Sequence, residues 1–153
     1  MMTYWSRVDH SFATLLNYPQ HVFLLAIRLY IGWVFLKSGL LKIQSWESTL
    51  ALFEYEYAVP LLSPHLAAVL GTTAELLLPP LLMIGLFTRP VALALAVFNA
   101  VAWISYPDLS PAGSKDHQIW LLGLTVVFLA GAGLFSTDHL VQRRSNNAGK
   151  VSG

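Results

Sequence analysis

The chain contains no cysteine. That excludes disulfides, thiolate metal sites and CxxC redox chemistry. Charge is scarce as well: Asp, Glu, Lys and Arg make up 11% of the residues, against roughly 25% in soluble domains. The net charge of +1 comes without a basic cluster, which argues against a nucleic-acid partner. Dinucleotide-binding glycine motifs, P-loops, HExxH helices and serine nucleophile elbows are all missing, and the five histidines are scattered without ligand spacing, so no metal is expected. The connecting segments are too short for a soluble catalytic domain. Whether the chain is an enzyme stays open, and electron transfer would need a bound cofactor or a diffusible quinone.

What is abundant is apolar surface. Hydrophobic residues make up 56% of the 153 and the mean hydropathy is +0.59, the balance of an integral membrane protein. Four apolar stretches are expected to span the bilayer, at about 21–41, 66–87, 91–106 and 117–135, within one domain over 21–140. A polar to mixed lead-in, 1–20, precedes them. A basic tail, 141–153, follows, with disorder expected from about Ser145. Between the first two spans, Trp46–Leu62 mixes aromatics with Glu47, Glu54 and Glu56. It suits a short amphipathic helix at the membrane surface, ended by Pro60 and Pro64.

Orientation follows from Lys and Arg placement. An even number of crossings puts both termini and the 88–90 turn on one side, with Arg7, Arg89, Arg143, Arg144 and Lys150. Most acids fall on the other. Both termini are therefore expected in the cytoplasm and the protein in a bacterial inner membrane. The short turns predict an all-α, antiparallel four-helix bundle, with the amphipathic helix on its extracytoplasmic face.

The spans are not wholly apolar. Glu75 sits roughly 13 Å into the second, where a lone carboxylate costs several kcal/mol unless paired, protonated or wet. On the first, Arg28, Gly32, Phe35, Gly39 and Lys42 fall within about 40° of one line. Thr72, Glu75, Pro79 and Leu82 share a face on the second. An Arg28–Glu75 ion pair inside the bundle is expected, serving either as a structural clamp or as a polar site for a headgroup or a proton. Pro79 and Pro80 remove backbone donors just beyond Glu75, which frees carbonyls or simply kinks the helix. Asn99 is expected in a helix–helix hydrogen bond. His117, beside Asp116 and level with Lys42, is either a cap residue or part of a proton-passing group. Gly32, Gly39, Gly131 and Gly133 are expected at close helix packing.

In this order and spacing, Arg28 with GWVFLKSGLLK, Glu75 with PPLLMIGLFTRP, and the Gly131–Asp138 segment resemble the DoxX family of small four-helix membrane proteins, over about residues 22–140. Its most specific pieces are the block Glu75…Pro80…Gly85–Arg89 and the Gly131–Asp138 segment that ends the fourth span. The resemblance puts Arg28, Lys42 and Glu75 on the family's polar positions. It implies the membrane subunit of a quinone-linked oxidoreductase, or a membrane partner in an oxidative-stress or cofactor-handling system. Two functions stand side by side: a quinone-interacting redox subunit working with a protein partner, and a non-enzymatic partner or small-solute conduit that docks another protein through residues 46–62. A homo-oligomer stays open.

Overall fold

The computed structural model describes the backbone of residues 2–151 and the side chains of residues 18–147. Six helices follow one another: α1 (Met2–Gln44), α2 (Trp46–Tyr55), α3 (Pro64–Ile84), α4 (Thr88–Ile104), α5 (Pro111–Ala130) and α6 (Thr137–Val151). No strand occurs among the described residues. The expected lead-in over 1–20 is backbone helix continuous with α1, and most of its side chains lie outside the described residues.

The helix ends have local causes. Ser63 and Ser110 are N-caps whose hydroxyls accept from Leu66 and Gly113, and each is followed by proline at the first helical position. That position has no hydrogen-bond acceptor for an N–H in any case, and proline's fixed φ suits it. At its other end α3 stops at Gly85, with φ +73. Leu86 N donates to Leu81 O and Gly85 N to Leu82 O, the paired closure that a left-handed glycine permits. α2 stops at Tyr55, well before Pro60. Tertiary contacts end it: the Tyr57 ring stacks between Phe53 and Tyr106, and Ala58 N donates to Ser105 O at 2.7 Å. The last segment, expected to be disordered from about Ser145, continues as helix to Val151.

One apolar core joins α1, α3, α4 and α5, built on Ile31, Phe35, Leu82, Leu95, Leu124 and Val127. The stripe Arg28, Phe35, Gly39 of α1 is buried, and so is Thr72, Glu75, Pro79, Leu82 of α3. Two glycines set their separation. A Cβ on Gly39 would meet Glu75 Cβ at 2.9 Å, and one on Gly32 would run into Met83 and lie 3.3 Å from Pro79 O. α2 caps the start of α3 through a second cluster, Phe53 against Ala67 and Ala68. The outward faces carry large apolar side chains, among them Phe23, Trp33, Leu77, Val97 and Leu122. Two helical stretches are long and apolar enough to cross a bilayer, Tyr18–Gln44 and Pro64–Ile84; Thr88–Ile104 is apolar but shorter.

Candidate functional site

Where α1 leaves the core, its last turns carry Ser38 and Lys42 on the face turned to α3. The two are one helical turn apart and so stand one above the other. Lys42 Nζ donates to Glu75 Oε2 at 2.7 Å and to Oε1 at 2.9 Å, and its third proton goes to Ser38 Oγ at 2.8 Å. Ser38 Oγ in turn donates to Glu75 Oε1 at 3.1 Å. The side chains are 13% and 7% exposed for Lys42 and Glu75. Every ammonium proton is matched, while the carboxylate, with about four lone-pair positions, keeps one free. The group is electrically neutral as a unit, and its open valence is an acceptor.

This pair forms the floor of a cavity of about 240 Å³ between α2, α3 and α4. Apart from Lys42 and Glu75 the lining is apolar and aromatic, with Phe53, Tyr57, Leu70, Phe98 and Val101. Gly71 leaves room for the Phe53 ring, 3.3 Å from where a Cβ would stand. The roof is held from three sides. Thr49 Oγ1 donates to Lys42 O at 2.9 Å, Ala58 bonds to the end of α4, and Tyr106 O–H donates to Glu56 Oε2. Tyr57, on the wall, has its hydroxyl pKa raised from its ordinary value of 10.0 by burial first, then by the neighbouring negative charges of Glu75 and Glu56. It therefore stays a hydrogen-bond donor at neutral pH.

The expected Arg28–Glu75 ion pair does not form. α1 and α3 run antiparallel in a register that sets Gly39 against Glu75 and Arg28 against Gly85, so Lys42 takes the carboxylate. Arg28 is fully buried ten residues further along α3, where Nη2 donates to Phe135 O. Asn99 and His117 form a third, separate group. Asn99 Nδ2 donates to His117 O at 2.9 Å, and Asn99 Oδ1 lies 2.8 Å from His117 Nδ1. This joins α4 to α5, and His117 turns to Asn99 rather than to Lys42. Two members of the Lys42–Glu75 site, Ser38 and Tyr57, carry no motif. The spacing of Ser38 from Lys42 was the one available signal for either.

At the opposite end of the molecule the α3–α4 turn is tied to the α5–α6 junction. Asp138 accepts from Phe87 N and Thr88 N, both at 2.9 Å. Asp138 N donates to Gly85 O at 3.0 Å, and Thr137 Oγ1 donates to the same carbonyl at 2.9 Å. Phe87, with φ +49 and no cap of its own, is held in that conformation by a carboxylate fifty-one residues away. The Gly85–Arg89 and Ser136–Asp138 segments thus form one joint.

A protein of Haemophilus influenzae, described as uncharacterized, is 30% identical over 129 residues, covering 80% of this chain and 85% of its own length. No solved structure matches the chain. The sequence profile of the DoxX family matches residues 23–107, which run from the buried face of α1 to the end of α4. That interval includes Ser38, Lys42, Glu75, all of α2 and the whole cavity lining. With more than half of its length under that profile, the chain belongs to the DoxX family of membrane proteins.

Proposed function

We propose that this protein crosses the membrane four times as an antiparallel helical bundle, with α2 on the extracytoplasmic face, both termini in the cytoplasm, and Arg28, Lys42, Glu75, Asn99 and His117 as its inward polar positions. We further propose that it binds a neutral, mainly apolar molecule with a polar end, of the quinone class. On this reading it is the membrane subunit of a redox-linked system that works with a protein partner. The observation that carries it is the cavity over Lys42 and Glu75. Its lining suits a ring and an apolar tail. Its floor is a neutral ion pair, which favours an uncharged ligand, because a charged one would be desolvated without compensation. The free carboxylate valence of Glu75 can accept a hydroxyl proton, and the Tyr57 hydroxyl can donate to a carbonyl. Those are the two hydrogen-bonding needs of a quinol and a quinone.

A second reading, a docking partner without chemistry, draws on the segment after α2. Tyr55 is exposed, and Leu61 is wholly exposed with φ +66, a conformation costly for leucine. Glu47, Glu54 and Glu56 are exposed along the same segment.

The test is lipid extraction and optical spectroscopy of the purified protein, wild type beside Glu75→Gln and Tyr57→Phe. Quinone at near one per chain in the wild type, depleted in both variants, is the expected result. No quinone in any sample removes the redox reading and leaves protein docking, which a pull-down through residues 46–62 then examines.

A further inference from the structure

A second cavity, of about 370 Å³, opens at the other end of the molecule between the α3–α4 turn and the α5–α6 junction. Its character is opposite to that of the first. Arg89, His21, His139 and Gln142 line it, with Thr88, Asp138 and the small residues Gly131 and Gly133. Thr88 is 1% exposed and its hydroxyl has no hydrogen-bond partner among the described residues. A buried hydroxyl left in that state is costly, and it marks a place where a polar atom is missing.

Directly behind the cavity stands Arg28. A Cβ on Gly85 would collide with both Arg28 Nη1 and Ser136, and Ser136 lines the cavity, so the guanidinium and the cavity wall share one small space. Arg28 is fully buried, and its Nε and Nη1 have no acceptor among the described residues. The negative charge at hand is Asp138, and both of its oxygens already accept backbone N–H groups at the start of α4. Two guanidinium groups, Arg28 and Arg89, thus have one committed carboxylate nearby, and Arg89 Nη2 donates to Leu129 O at 3.3 Å. His21 Nδ1 accepts from Leu134 N, which leaves Nε2 as that ring's donor.

We infer that this cavity binds a phosphate group, either the headgroup of an anionic phospholipid or a free phosphate. Arg89 would meet the anion from the rim and Thr88 from the floor, while Arg28 would supply charge from behind. The level is right for a headgroup, since the cavity lies at the ends of α3 and α5, where a spanning helix leaves hydrocarbon. An arginine with a free hydroxyl beside it suits the planar, multiply accepting face of a phosphate.

The experiment takes the full-length protein in a nonionic detergent. Native mass spectrometry follows retention of phosphatidylglycerol against phosphatidylcholine, and phosphorus NMR follows inorganic phosphate. Wild type is compared with Arg89→Gln, Thr88→Val and, as a control away from the cavity, Lys37→Gln. Thr88→Val keeps the shape of the side chain, so it reads the hydroxyl even if the arginine variant folds poorly. Preferential retention of phosphatidylglycerol, weakened about tenfold in each cavity variant and unchanged in the control, with no inorganic phosphate bound, supports the site and assigns it to a lipid. Binding of inorganic phosphate with the same variant pattern supports it and assigns a free anion. If neither ligand binds, or if Thr88→Val and Arg89→Gln bind as the wild type does, the inference is overturned.

Discussion

At the scale of single residues, the Lys42–Glu75 pair makes the sharpest prediction. Two charges almost out of solvent are held together by a closed set of bonds with Ser38. Removing one strands the other. Lys42→Met is therefore expected to destabilise the protein by roughly 3–5 kcal/mol, and the double variant Lys42→Met with Glu75→Leu to regain most of that loss. Thermal unfolding in detergent measures both. Losses that simply add would mean that the pair is not coupled. The corresponding cycle between Arg28→Gln and Glu75→Gln is expected to be additive, because their partners lie at opposite ends of the α1–α3 contact. Ser38→Ala removes one acceptor and one donor from the set, and a cost of about 1 kcal/mol is expected.

Among the elements, the joint between α3–α4 and α5–α6 decides how the helices meet. α4 starts without a cap from its own sequence, and Asp138 supplies one from a distance. Asp138→Ala is expected to cost about 1–2 kcal/mol, the worth of a helix cap, and to raise amide hydrogen exchange at Phe87 and Thr88 more than elsewhere. Uniform exchange across the protein would argue against the joint. The elements also show what could be read from the chain and what could not. The inward faces of α1 and α3 follow from a 3.6-residue period, so Arg28, Phe35, Gly39, Thr72, Glu75 and Pro79 were legible as buried stripes. The axial register between those stripes was not. It depends on where each helix ends, and α1 continues to Gln44 while α3 begins at Pro64. With the ends placed a few residues away, a carboxylate midway along α3 looks within reach of Arg28, although its true neighbours are Ser38 and Lys42. The cap from Asp138 was hidden for a related reason: the residues it joins are about fifty apart, and no local signal spans that distance. The same is true of Tyr57, which reaches the cavity wall only because α2 ends early.

For the whole molecule, the open matter is how it sits in the bilayer, and charge placement makes a prediction that the absence of cysteine renders easy to test. Of the cations at the α2 end, Lys42 is paired within the protein, which leaves Lys115 near the start of α5 and Lys37 on the exposed face of α1. At the other end Arg89, Arg143 and Arg144 stand near the α3–α4 turn and along α6, with Lys150 following. The asymmetry of free cations is therefore larger than the raw count, and the positive-inside rule predicts from it that α6 and both termini face the cytoplasm. Single substitutions Ser6→Cys, Asn146→Cys and Glu54→Cys give three reporters with no background thiol. An impermeant maleimide added to intact cells is expected to label only the Glu54→Cys protein, and the other two only after the membrane is opened. Labelling of both Ser6→Cys and Asn146→Cys from outside would reverse the orientation. It would also move the arginine-lined cavity to the extracytoplasmic face and the Lys42–Glu75 cavity to the cytoplasmic one, so the partner of a redox subunit would have to be sought inside the cell. Labelling of exactly one terminus from outside would mean an odd number of crossings. Because α4 and α5 pack against each other and against α1 and α3 around one core, that result would require one of the four to lie along the membrane surface, and α4, the shortest of them, would be the first to examine.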